Sequence, residues 1–277
     1  QAGESVLPAA RAGCGPLPRS RILIVDDVAP NQIVLATILR RDGHCVDGVF
    51  SGEAALARLA ETPYDIVFMD VCMPGLNGLD ATRRIRTMTG PAGAVPIVAL
   101  SANAAPEDHA RATEFGMNDM LAKPVDPAQL LAVIARQVWP GHPIRLASRG
   151  AGAQTEAAFA PTLSVDRIAE LRSNLARATL CDLAEECLSE LRERMVGLRA
   201  SLAGGDLEQV QLDAHAMVGL AASYGVAAFE QRLRELSEAA RAGRVGQLST
   251  LAQGLDAELD RAAVALRSAL ASEMATG

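Results

Sequence analysis

The chain has 277 residues, 49% of them hydrophobic and only 3% aromatic, with a formal net charge of −7. That length suits two domains of ordinary size, with cores built from aliphatic side chains and Met rather than from rings. The acidic balance excludes a basic nucleic-acid surface, and no apolar run reaches the length that spans a bilayer.

Residues 1–19 are rich in Ala, Gly and Pro without periodicity and read as a tail or linker. An apolar run, Ile22-Leu23-Ile24-Val25, then ends in Asp26-Asp27. From there short β-rich runs at about 21–26, 45–49, 64–69, 95–100 and 118–122 alternate with amphipathic patterns at about 31–42, 52–61, 77–88, 106–115 and 127–138. Such alternation predicts an α/β domain, a five-stranded parallel sheet covered by about five helices, over residues 20–138.

Residues 139–162 open on Trp139-Pro140-Gly141 and stay rich in Gly, Ala and Pro, which marks a linker. As a flexible segment it would have a root-mean-square span of roughly 25–30 Å, enough for the two halves to meet within one chain. After Leu163 no strand is convincing. Heptad-like segments at about 164–174, 178–202, 206–222, 226–242 and 246–272 predict an all-α helical bundle over 163–277, with breaks at Gly204-Gly205, Gly225 and Gly243.

The five cysteines, Cys14, Cys45, Cys72, Cys181 and Cys187, are odd in number and form no C-x-x-C pair, so reduced thiols in a cytosolic compartment are expected. The first residue is Gln, and the chain reads as a fragment of something longer. Of 26 basic residues 25 are arginine, and Lys123 is the only lysine. A chain so biased fills any site that needs only positive charge with arginine. Lys123 therefore marks a position that takes a compact ammonium and not a guanidinium fork.

Open parallel sheets bind ligands beyond the carboxyl ends of their strands. The predicted strands bring Asp26, Asp27, Asp70, Ser101 and Lys123 to that edge. Crowded carboxylates repel one another, and Mg2+, which takes oxygen ligands and suits one or two carboxylates plus a phosphate, relieves this. A carboxylate is also a nucleophile toward phosphorus, with metal, lysine and hydroxyl to neutralise the phosphoryl oxygens. Each residue alone has a plainer account: Asp-Asp or Ser101 as a helix cap, Asp70 or Lys123-Pro124 as a turn. Their joint occurrence in order at strand ends disfavours that account.

In the second half the stretch "AHAMVGLAASYG" (214–225) sets His215 on a helix face with Gln211, Gly219 and Ala222. Glycine inside a helix costs about 1 kcal/mol relative to alanine, so Gly219 asks for a packing or functional reason. A histidine on an Ala-rich helix is otherwise a core or surface residue.

The motifs "ILIVDD", "VFMDVCMPGLNG", "PIVALSA" and "GMNDMLAKPV" make residues 20–138 resemble a CheY-like response-regulator receiver domain. The resemblance implies a flavodoxin-like sheet, Asp70 as phosphoacceptor, Asp27 as direct Mg2+ ligand with Asp26 assisting through water, and the main-chain carbonyl of Cys72 as a further ligand. It implies that Ser101 and Lys123 hold the phosphoryl oxygens. The helical half, through the His215 motif, resembles a histidine-containing phosphotransfer (HPt) domain. Gly219 and Ala222 then leave room for a receiver edge to reach the imidazole.

Together these imply a two-component phosphorelay fragment, as in the C-terminal part of a hybrid sensor histidine kinase. Phosphate would pass between Asp70 and His215 and on to a downstream response regulator. The implied partners are an upstream histidine kinase core and that regulator's receiver domain, with no nucleic acid. The implied location is cytoplasmic, with the parent anchored in the inner membrane. No ATP-binding kinase motif is visible in the sequence.

Two positions depart from the family pattern: Met120, usually aromatic, and Val218, usually lysine. A lysine at 218 is therefore expected to speed transfer onto His215. Two competing readings remain: a response regulator whose helical half is a degenerate binding or dimerisation module, and a metal-dependent phosphatase acting on small substrates.

Overall fold

The computed structural model describes residues 17–102, 106–140 and 162–271. Cys14, His142 and most of the two expected linkers lie outside the described residues.

The first half alternates strands and helices: β1 (Arg21–Val25), α1 (Ala29–Arg41), β2 (Cys45–Val49), α2 (Gly52–Glu61), β3 (Ile66–Asp70), α3 (Gly78–Arg86), α4 (Pro91–Ala94), β4 (Ile97–Ser101), α5 (Pro106–Glu114), β5 (Asp119–Ala122) and α6 (Pro127–Val138). The strands form one parallel sheet in the order β2-β1-β3-β4-β5. This is the flavodoxin-like arrangement that the alternation predicts. The one-turn α4, which starts at Pro91, is an addition that periodicity does not reveal in four residues.

Alternate residues of each strand enter opposite layers. Ile22, Ile24, Phe68, Val98 and Leu100 pack with α1 and α6. Leu23, Val25, Val67, Met69, Ile97 and Ala99 pack with α2, α3 and α5. Because β3 and β4 are buried along their whole length, they read as unbroken apolar runs. Side-chain caps start several helices: Ser51 accepts from Ala54 N–H, Asn77 from Asp80 N–H and Asp126 from Gln129 N–H.

The second half is all helical: α7 (Val165–Asn174), α8 (Arg177–Gly204), α9 (Leu207–Ser223), α10 (Ala227–Arg241), α11 (Val245–Ala252) and α12 (Leu255–Ala271). The single helix expected at 246–272 is two helices. Gly254 adopts φ +78°, a left-handed conformation that ends one helix and lets the next begin. Among the described residues no helix is long and apolar enough to cross a membrane.

The halves share a core. The apolar layer containing α1 and α6 continues into Ile168, Leu180, Leu191, Met217 and Phe229 of the bundle. Arg41 donates to Asn174 across the junction. The bundle is therefore packed onto the sheet domain.

Candidate functional site

The carboxyl ends of β1, β3, β4 and β5 converge, as the parallel sheet requires. Carboxylate oxygens of Asp26, Asp27 and Asp70 lie within 4.8 Å of one another. Lys123, just past β5, crosses this cluster. Its Nζ donates to Asp26 Oδ2 at 2.7 Å and to Asp70 Oδ2 at 2.6 Å. The backbone holds it there, since Lys123 N–H donates to the Ser101 carbonyl at 2.7 Å.

Asp26 is fully buried. Its Oδ1 accepts from Val28 N–H at 3.0 Å and from Asn31 Nδ2 at 3.2 Å, while Lys123 holds Oδ2. Gln32 Nε2 donates to the Asp26 and Val49 carbonyls and ties β1 to β2. Motif reading passes over Asn31 and Gln32. Their signal is two amides on the buried face of α1, where apolar residues belong.

Burial pushes the Asp70 carboxyl up to about 7; Lys123 opposes the shift and Asp26 adds to it. Burial alone would lower Lys123, but Asp26 and Asp70 outweigh it and hold the ammonium above its usual range. Two carboxylates on one ammonium, with a third beside them, leave negative charge uncompensated by lysine. That is the donor set of a hard divalent cation. Cys72 N–H donates to Asp70 Oδ1 at 3.1 Å. Burial, then Asp70, pushes the Cys72 thiol up to about 12, so its sulfur stays protonated.

His215, in the middle of α9, opens into a cavity of about 110 Å3 between the two halves. Cys72, Ser101, Met120 and Asp108 line it from the sheet domain, and Gln211 and Arg234 from the bundle. Ser101 is 4% exposed at the end of β4. Burial lowers the His215 pKa, followed by Lys123, with Asp108 opposing and Arg234 and Arg241 adding to the effect. The imidazole is thus neutral near pH 7, with a lone pair to offer.

Gly219 makes the close approach possible. A Cβ there would lie 3.2 Å from Lys123 Cδ and 3.9 Å from Ala102 Cβ. Ala222 is 2% exposed on the same helix. Of the other histidines described, His44 is buried with Nδ1 accepting from Ser20 N–H, and His109 is exposed on α5.

Two arginines cross the junction, and sequence reasoning missed both. Arg194 of α8 donates to Asp27 Oδ2 at 2.6 Å, and Arg234 of α10 donates to the Ala102 carbonyl at 2.7 Å. No pattern distinguishes them among the chain's 25 arginines. Val218, by contrast, is 1% exposed and belongs to the shared core. It also lines the cavity that His215, Asp108 and Glu238 share, so a lysine there would lose hydration while facing two carboxylates.

Comparison with known proteins adds family matches to this geometry. Residues 22–135 match the response regulator receiver domain model, and residues 182–266 match the Hpt domain model. The sensory/regulatory protein RpfC of Xanthomonas campestris is 31% identical over 75% of this chain and 28% of its own length. The sensor histidine kinase GacS of Pseudomonas protegens is 32% identical over 74% of this chain and 23% of its own. The chain spans about a quarter of the length of these relatives. A receiver domain of a Pseudomonas aeruginosa sensor histidine kinase, solved with magnesium in its active-site cleft, is 38% identical over 44% of this chain and 98% of that one, with a TM-score of 0.41.

Proposed function

Because residues 22–135 are a response regulator receiver domain and residues 182–266 an Hpt domain, we propose that this chain passes a phosphoryl group between Asp70 and His215. The observation that carries the reading is one arrangement: His215 opens into the cavity that Ser101 and Cys72 line, while Gly219 lies against Lys123.

Asp27 and Asp70, with the Cys72 main-chain carbonyl, would hold Mg2+, and Asp26 would assist through water. The ion supplies charge neutralisation for the phosphoryl oxygens. An Asp70 carboxylate oxygen attacks phosphorus of an upstream phosphohistidine; the P–N bond breaks and the donor imidazole leaves. Lys123 and Ser101 hold the equatorial oxygens. In the next transfer a neutral ring nitrogen of His215 attacks phosphorus, the P–O bond breaks, and Asp70 recovers its carboxylate beside Lys123. His215 then donates to a separate receiver domain.

The relatives' names, sensory and sensor proteins about three times as long, support a hybrid sensor histidine kinase as the parent, with its kinase core as upstream partner and a response regulator downstream. In that setting the chain works in the cytoplasm, beneath a membrane-anchored parent.

The test is phosphorylation with a small labelled acyl phosphate and Mg2+. Label should appear as acid-labile, base-stable phosphate, at a rate independent of protein concentration. It should be absent in Asp70→Asn and in His215→Gln. Label that stays acid-stable on the sheet domain would favour a helical half that serves only for binding.

A further inference from the structure

The ion pair between the two halves falls on a metal-ligand candidate. Arg194 lies on α8, one helix away from the histidine. Its Nη2 donates to Asp27 Oδ2 at 2.6 Å, and its Nε donates to Glu190 Oε1, one turn back, also at 2.6 Å. Both partners are largely sheltered: the Asp27 side chain is 7% exposed and that of Arg194 23%. Lys123 serves Asp26 and Asp70 and makes no bond to Asp27. With the halves packed together, three carboxylates therefore face two cations, and Arg194 supplies the counter-charge that Asp27 otherwise lacks.

A divalent cation at this edge needs the same carboxylate. It must either displace the guanidinium or share Asp27 with it at short range, where like charges repel. We infer that Arg194 makes domain docking and divalent-cation binding antagonistic, through competition for Asp27. The inference rests on the assignment of Asp27 as a metal ligand. Linkage makes the effect reciprocal: docking weakens the cation by the factor by which the cation weakens docking.

The arrangement gives the metal a second task. Without it, the bundle stays seated and His215 faces its own receiver. With it, the hold on α8 loosens, and His215 becomes accessible to a separate receiver domain. A severalfold coupling leaves both arrangements populated, so transfer within the chain and transfer onward both proceed.

The experiment is calorimetric titration of the full chain with Mg2+ alone, for wild type, Arg194→Ala and Arg194→Met; the Met variant keeps an apolar stem at that position of α8. Both variants should bind Mg2+ about 5- to 10-fold more tightly. In small-angle scattering, Mg2+ should raise the radius of gyration of wild type. The variants should start larger and respond less. Equal or weaker Mg2+ affinity in both variants overturns the inference. If wild type binds Mg2+ and Asp27→Asn abolishes that binding while the Arg194 variants match wild type, only the inference falls. If wild type binds no Mg2+, the metal assignment falls with it.

Discussion

Gly219, on the helix that carries His215, lies against the chain's only lysine: a Cβ on it would sit 3.2 Å from Lys123 Cδ. Lys123 is already committed to Asp26 and Asp70 at 2.7 and 2.6 Å. Any side chain at 219 pushes on the group that organises the receiver edge. Gly219→Ala requires a shift of a few tenths of an ångström, and Gly219→Leu requires the halves to part. Since a residue other than glycine also favours the helix by up to about 1 kcal/mol, thermal stability of the bundle should hold or rise. Transfer from Asp70 to His215 should fall, severalfold for Ala and at least about tenfold for Leu. A loss of transfer that merely tracks a loss of melting temperature would contradict this.

Lys123→Arg separates geometry from charge. One Nζ serves two buried carboxylates, and the residue is 7% exposed. A guanidinium is larger and planar and does not fit the same space without strain. Phosphorylation of Asp70 should drop by about tenfold or more, and stability by about 1–3 kcal/mol. Both are read from labelling rates and urea denaturation. Near-normal labelling would mean that positive charge alone suffices.

Val218→Lys should destabilise the bundle and not speed transfer. Val218 is 1% exposed within the shared core, and an ammonium placed there loses hydration that Asp108 and Glu238, across the same cavity, only partly replace. The positive charge near His215 comes from Lys123 first, then from Arg234 and Arg241; Arg234 reaches the Ala102 carbonyl across the junction and pairs with Glu230 at 2.7 Å. Arg234→Ala should slow transfer onto His215 about tenfold with a small change in melting temperature. A faster Val218→Lys protein of normal stability would refute the burial argument.

Two histidines weaken the fold as pH falls through about 6. Burial, then Lys123, lowers His215 from the usual 6.5, and burial lowers His44 likewise against the opposing Asp42. The folded chain therefore takes up these protons less readily than the unfolded chain does. Stability present above about pH 6.5 is lost as pH falls below it. Asp70, raised to about 7, acts in the opposite direction over the same range, so the histidine contribution is read as a difference: the melting temperature of His215→Gln relative to wild type should rise as pH falls from about 7 to 5. A second decline is expected below about pH 4. There Asp47, lowered chiefly by its hydrogen bond from Tyr64, and Asp119, lowered by Arg136 against the effect of burial, lose their partners' support. An identical slope in His215→Gln would exclude the histidine as a source.

The sheet domain was legible because its signals are local. Five short apolar runs between amphipathic helices specify a parallel sheet, and such a sheet has one edge where strand ends meet. Asp26, Asp27, Asp70, Ser101 and Lys123 could be collected at that edge from order alone. Gly219 was legible as an anomaly inside a helix, and Lys123 as an exception in an arginine-rich chain. Local patterning failed where a signal was short or shared: α4 has four residues, and Gly254 hides inside an apolar heptad pattern until its positive φ separates α11 from α12.

What only the tertiary structure decided is which distant groups face that edge. The docking of α8, α9 and α10 against the receiver brings together residues more than 100 positions apart in the chain. Periodicity reports which face of a helix is apolar; it does not report which partner covers that face. So Arg194 and Arg234 look like any other surface arginine in the sequence, and Val218, three residues past the histidine, looks available to solvent. Burial by a second domain reverses both readings, because the charge that reaches the site is set by packing between elements and not by spacing along one helix.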